Sequence, residues 1–128
     1  MNRSGIILKD VLYCESAQVN DILIVCDNLD LKPGMCRLKE RGSSGGHRGL
    51  SSVIEYAGTN NFLRLYIGIG KPNNKADISD YVLNNPEGEE KQDIESGIEK
   101  AILCTYLLLE KTPQEVMTIC NSKNPYVT

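Results

Sequence analysis

One histidine, His47, stands in this 128-residue chain, and its five cysteines include no CxxC pair. Each scarcity closes off a chemistry. With one imidazole there is no second histidine to share acid–base work, and no serine or cysteine lies in a nucleophile elbow or protease signature. Cys14, Cys26, Cys36, Cys104 and Cys120 are odd in number and lack zinc-site spacing. Buried, reduced thiols are therefore expected, and a metal is not. No apolar run approaches the length of a membrane span, and the opening MNRSG is not a signal peptide. A soluble, cytoplasmic protein is expected. Internal repeats and low-complexity segments are absent. The net charge of −3 gives no broad cationic field, so any nucleic-acid contact must come from a local basic patch.

What is present reads as one α/β domain over 1–128, long enough to bury a core. Ser4 can cap a helix in which Ile7, Val11 and Cys14 keep helical spacing, with Leu8 and Leu12 widening the stripe, ending near Ser16. ILIVC, 22–26, is a continuous apolar run of strand length, the pattern of a strand covered on both faces. A turn follows at Pro33-Gly34. MCRLKER alternates, setting Arg37, Lys39 and Arg41 on one face and Cys36 and Leu38 on the other.

Beyond the glycine-rich GSSGGHRGL, Leu50, Val53, Ile54 and Ala57 mark a short amphipathic helix. FLRLYIGIG is the next strand, with Leu63, Leu65, Ile67 and Ile69 on one face and Arg64 and Tyr66 on the other. DISDYVL, 77–83, has the pattern of a short helix. Ile94, Ile98, Ala101, Ile102, Leu108 and Leu109 mark a long helix over 89–110. Thr112-Pro113-Gln114-Glu115 has a capping threonine, a proline at the first helical position and a glutamate closing the box. The order of elements implies a mixed sheet flanked by helices.

Three places could carry chemistry. Asp27 ends the apolar strand, where ligands gather in open α/β sheets; a turn aspartate is the plain alternative. Arg37, Lys39 and Arg41, with Arg64 on a second strand, could form a phosphate-contacting face, since alternate strand residues lie ~6.6 Å apart. The same pattern fits a solvated edge strand blunted by cations. His47, before the helix near Leu50, could bond substrate or act as a base, or could serve only at the helix entry. From the residues alone, no complete enzyme mechanism can be assembled.

ILIVCDNLDLKPG, RLKERGSSGGHRGLSSVI and FLRLYIGIGKP occur in the order and spacing of bacterial-type peptidyl-tRNA hydrolases, and MNRSG is similar to that family's MNxSG motif. The resemblance runs from Met1 to the helix at Thr112 and rests on two specific segments, GGHxGLxSI and RxxIGIGxP. It implies hydrolysis of the ester joining a peptide to tRNA, with no metal or organic cofactor, on one α/β domain around a twisted mixed sheet. By position it implies that Asn2 holds substrate and water and that Asp27 orients a catalytic histidine. His47, Gly46, Arg48 and Gly49 would border the substrate, and Arg37, Lys39 and Arg64 would meet tRNA phosphates.

The departures are specific. The family's GNPG strand and TRHNxG motif, which carries the catalytic histidine, are missing, and Met1 falls on the family's internal methionine. GGHNG reads GGHRG, so Arg48 replaces an asparagine, and Tyr66 replaces a basic residue. The resemblance therefore implies a peptidyl-tRNA hydrolase lacking its N-terminal strand and general base, impaired in catalysis and prone to self-associate through an unpaired sheet edge. The alternatives are a non-catalytic RNA-binding relative on the same fold, and a structural domain whose partner supplies the missing strand.

Overall fold

The computed structural model describes residues 4–14, 18–71 and 88–121. In chain order they form α1 (Ser4–Cys14), a 3-10 turn at Val19–Asp21, β1 (Leu23–Asn28), β2 (Cys36–Lys39), α2 (Arg48–Ala57), β3 (Leu63–Gly68), α3 (Gly88–Leu107) and α4 (Pro113–Cys120). The fold is α/β, as expected, with one three-stranded sheet in the order β1-β3-β2. The helix expected at 77–83, and Asn2, lie outside the described residues. The chain divides into two compact units, one drawn from Met1–Cys26 and Lys39–Leu65, the other from Asp27–Leu38 and Tyr66–Thr128.

Sheet order explains which strand is covered. β3 is central, and Arg64, Leu65, Tyr66 and Gly68 are all buried along it. β1 has one strand neighbour among the described residues. None of its residues is fully buried, and Val25 is 51% exposed. The expectation that ILIVC is covered on both faces is thus corrected: an apolar run reports hydrophobicity, not a strand's place in the sheet. β2 alternates as expected, with Cys36 and Leu38 buried and Arg37 and Lys39 exposed.

In the first unit, α1 and α2 pack against each other. The contact is made by a glycine. A Cβ on Gly5 would sit 2.1 Å from the Ser52 carbonyl oxygen, so only a bare Cα allows the approach. The Gly5 N–H donates to Ser52 Oγ at 3.0 Å, which gives the buried serine a partner. The buried face of α1 therefore holds Gly5 and Leu8, while Ile7 and Val11 are 66% and 44% exposed. The expected Ile7–Val11 spine does not face the core. Leu50 and Leu65, at 1% and 0% exposure, anchor this unit, each contributing about 1.5–3 kcal/mol.

In the second unit, α3 packs on α4, and Gly97 of α3 lies against the backbone of Gly34 and Met35, where an added Cβ would come within 3.4 Å. Gly97, Ala101 and Cys104 are buried, whereas Ile98 and Ile102 on the neighbouring face are exposed. Thr112 caps α4 as expected: its Oγ1 accepts from the Glu115 N–H at 3.2 Å, with Pro113 in the first helical turn. Just past α4, Asn121 acts as a substitute strand for the outer edge of β2. Its Oδ1 accepts from the Leu38 N–H at 2.8 Å, and its Nδ2 donates to the Leu38 carbonyl at 3.1 Å. Both backbone groups of a fully buried leucine are thereby satisfied.

Candidate functional site

The glycine-rich loop ends in a pocket at the N-terminus of α2. Ser44, Gly46, Arg48, Ser51, Ser52 and Glu55 line an open space of about 300 Å³. Gly46 has φ 86°, a left-handed conformation that glycine adopts without strain, and a Cβ there would meet nothing within 4 Å. The constraint is conformational rather than one of space. A hydrogen bond from the His47 N–H to the Ser44 carbonyl (3.0 Å) closes the turn. Arg48 is exposed at the first residue of α2, where its guanidinium adds to the positive helix end; Gly49 is buried behind it. Glu55 supplies the opposing charge on the same wall.

His47 is the N-cap of α2. Its Nδ1 accepts from the Leu50 N–H at 3.0 Å, and its carbonyl accepts from the Ser51 N–H at 2.9 Å. Accepting at Nδ1 fixes the neutral tautomer with the proton on Nε2. His47 therefore builds the start of α2.

Arg64 is corrected by the structure. Expected on a shared basic face, it is 0% exposed. Its guanidinium donates to the Gly42 carbonyl at 2.6 Å and to the Asn60 carbonyl, while Nε donates to the Phe62 carbonyl at 3.3 Å and Cζ lies 4.4 Å from the Phe62 ring centroid. The planar fork matches three carbonyls at once. Such a cation joins loops; it does not present charge to a ligand. Arg37 and Lys39 remain exposed on one face of β2. Asp27 is half-buried, next to last in β1. It lies at the carboxyl end of its strand as expected, but β3, not β1, is central among the described strands.

Sequence spacing gave no sign of the third feature. Cys36, Cys104 and Cys120, from β2, α3 and α4, bring their sulfurs within 4.8 Å of one another. The three are buried free thiols, and Cys36 Sγ is 3.5 Å from Cys120 Sγ. Thiol hydrogen bonds from Cys104 and Cys120 stabilise the Cys36 thiolate, holding its pKa down to about 4. Cys104 is pushed up to about 12: the Cys120 bond lowers it, but the Cys36 bond, burial and the Cys36 charge together outweigh that. Cys120 is pushed up by its bonds to Cys104 and Cys36 and by burial. Cys26 is only half-buried, which departs from the expected core thiol.

A family model described as peptidyl-tRNA hydrolase matches residues 1–126. The chain belongs to the peptidyl-tRNA hydrolase family. A peptidyl-tRNA hydrolase of Aquifex aeolicus (strain VF5) is 42% identical over 124 residues, covering 97% of this chain and 65% of that protein. Its counterpart from Persephonella marina is 39% identical over 123 residues, again 65% of the relative. The crystal structure of the Acinetobacter baumannii peptidyl-tRNA hydrolase superposes with a TM-score of 0.88 at 34% identity, covering 98% of this chain and 63% of that one. The chain thus spans slightly less than two thirds of these relatives' length. Among the described residues, no helix is long and apolar enough to cross a membrane.

Arg48, which the resemblance marks as a departure from GGHNG, lies on the pocket wall. Tyr66, which the resemblance sets at a basic position, is 8% exposed on the central strand β3. Gly5, Arg64, Asn121 and the three thiols carry structure that periodicity did not assign. Only the MNxSG likeness pointed to Gly5.

Proposed function

We propose that this chain acts on peptidyl-tRNA, engaging the ester between peptide and tRNA in the manner of its family. Family membership over residues 1–126 carries this reading, and the pocket at the start of α2 supports it. Ester hydrolysis adds water across the bond, releasing a peptide carboxylic acid and a free ribose hydroxyl. It needs a base for the water proton and donors for the carbonyl oxygen as negative charge grows on it. His47 and the loop at Gly46–Gly49 border the acceptor end, and Arg48 draws its phosphates. Arg37 and Lys39 contact tRNA phosphates further along. Asn2 holds substrate and water, and Asp27 orients a histidine that these 128 residues do not contain.

The base is what limits the isolated chain. Its one imidazole caps α2 through Nδ1, and a well-placed general base contributes ~10²–10⁴-fold. These 128 residues alone therefore bind tRNA and turn over peptidyl-tRNA negligibly. The partly exposed edge strand β1, with Val25 51% exposed, favours self-association, which light scattering would read as a concentration-dependent mass. No cofactor or metal takes part in this reaction, and the site is that of a cytoplasmic translation factor.

The test is an ester-cleavage assay on peptidyl-tRNA with the Aquifex aeolicus relative as positive control, alongside tRNA binding across a salt series. Binding without turnover is expected. Removing one phosphate contact in Lys39→Ala should flatten the plot of log affinity against log salt by about 0.7–0.9. Relative-like turnover abolished by His47→Ala would make His47 the base and overturn the assignment. Unchanged affinity and slope in Lys39→Ala would remove the β2 face from the RNA interface.

A further inference from the structure

The three buried thiols form a trigonal set whose dimensions suit a cation. A metal about 2.3 Å from each of three sulfurs requires sulfur–sulfur separations of roughly 4.0 Å, the chord of a planar trigonal arrangement. Here one edge is 3.5 Å and none exceeds 4.8 Å, so edge changes of about 0.5–0.8 Å at most close the site. All three cysteines are at most 4% exposed. The ligands come from three separate elements, β2, α3 and α4, so a bound ion would tie them together. We propose that Cys36, Cys104 and Cys120 form a binding site for a soft, three-coordinate cation of the copper(I) type.

Ligand count selects the class. A closed structural zinc site takes four protein ligands, and no fourth histidine, cysteine, aspartate or glutamate joins the group among the described residues. Soft thiolate donors in a dry pocket instead favour a soft cation satisfied by sulfur alone. Binding forms metal–sulfur bonds and releases one proton to solvent for each thiol that ionises, with no change in oxidation state. The Lys100 ammonium, which donates to the Gly34 carbonyl at 2.9 Å, acts on Cys36 in the direction that offsets part of the added negative charge. Entry requires only local opening of α4, an eight-residue helix at the end of the described chain. The site is independent of the ester-hydrolysis reading and does not enter its mechanism.

Reduced protein, kept anaerobic, is titrated with copper(I) against a coloured copper(I) chelator, and its melting temperature is followed in parallel. One equivalent should be retained, and melting should rise by about 10 °C at a hundredfold excess over the dissociation constant. A Cys14→Ser, Cys26→Ser double variant should retain that equivalent, and Cys36→Ser should lose it at least tenfold more readily. X-ray absorption on the parent chain, which needs no variant to fold, should count three sulfur neighbours. Two sulfurs, equal retention by Cys36→Ser, loss in the double variant, or preferential retention of zinc over copper(I) would each overturn the proposal.

Discussion

Replacing Arg64 with methionine removes a buried cation while keeping a long apolar stem. The guanidinium donates to the carbonyls of Gly42, Asn60 and Phe62 from a fully buried position. Hydrogen bonds from a charged donor contribute about 1.5–3 kcal/mol each, so three set an upper limit near 4.5–9 kcal/mol. Two effects reduce that. Asn60 is exposed and Gly42 partly so, so water can replace the donor at both, and the parent must desolvate a cation that methionine does not carry. The expected net loss is about 3–4 kcal/mol, a large part of the ~5–15 kcal/mol that holds a domain folded. With an unfolding entropy near 2.1 cal/mol/K per residue, 128 residues give about 0.27 kcal/mol/K, so the melting temperature should fall by roughly 11–15 °C. Arg64→Lys keeps the charge but reaches fewer carbonyls and should lose about half as much. Calorimetry and urea titration would read both. If Arg64→Met melts within 2 °C of the parent (about 0.5 kcal/mol), the carbonyls do not depend on this fork and the structural role assigned to Arg64 is wrong.

Gly5→Ala would drive a Cβ into the Ser52 carbonyl, and the clash should outweigh the better helix propensity of alanine, lowering stability by about 2 kcal/mol in urea; a stabilised variant would refute the close α1–α2 approach. Asn121→Leu should cost about 1–2 kcal/mol by stripping both partners from Leu38, with hydrogen exchange at the Leu38 amide rising in step; unchanged exchange would show that Asn121 does not guard that edge. His47→Ala should lose about 1 kcal/mol of cap and His47→Asn much less, because asparagine can accept from the Leu50 N–H; equal losses in thermal melts would detach the cap from the imidazole.

The elements were legible where one face is covered and the other wet. β2 shows a clean two-residue alternation because Cys36 and Leu38 point to the core and Arg37 and Lys39 to water, and the Thr112 cap was readable from four residues. The helices were legible as helices but not by their buried faces. In α1 the close contact is made at Gly5 against Ser52 and in α3 at Gly97 against Gly34 and Met35, residues that add little to a hydrophobic pattern because close packing selects small size. The bulky Ile7, Ile98 and Ile102 dominated that pattern and lie exposed. Arg64 was misread for a related reason: its three carbonyl partners come from a turn and a loop, and no local rule brings Gly42 and Asn60 to one strand residue. The thiol triad has the same origin, since its members are 68 and 16 residues apart in sequence, from Cys36 to Cys104 and from Cys104 to Cys120.

The two residues that looked most chemical, the lone histidine and the strand arginine, are the ones that hold the glycine loop in place. Arg64 clamps Gly42, whose N–H also donates to the Asn60 carbonyl at 3.3 Å, so the loop's entry is tied to the segment before β3. His47 ties the loop's exit to the first turn of α2. Between these two anchors lie residues 43–46, free of bulky side chains, with Gly45 and Gly46 at positive φ. A loop fixed at both ends loses little further entropy when a ligand settles on it, which is the condition for binding energy to reach the reacting bond rather than be consumed in ordering the site. The side chains on the pocket wall that can meet a ligand include those of Ser44, Arg48, Ser51 and Glu55. Under the proposed reading Arg48, the exposed cation on that wall, sets what the pocket accepts, while His47 and Arg64 hold the loop that forms the wall.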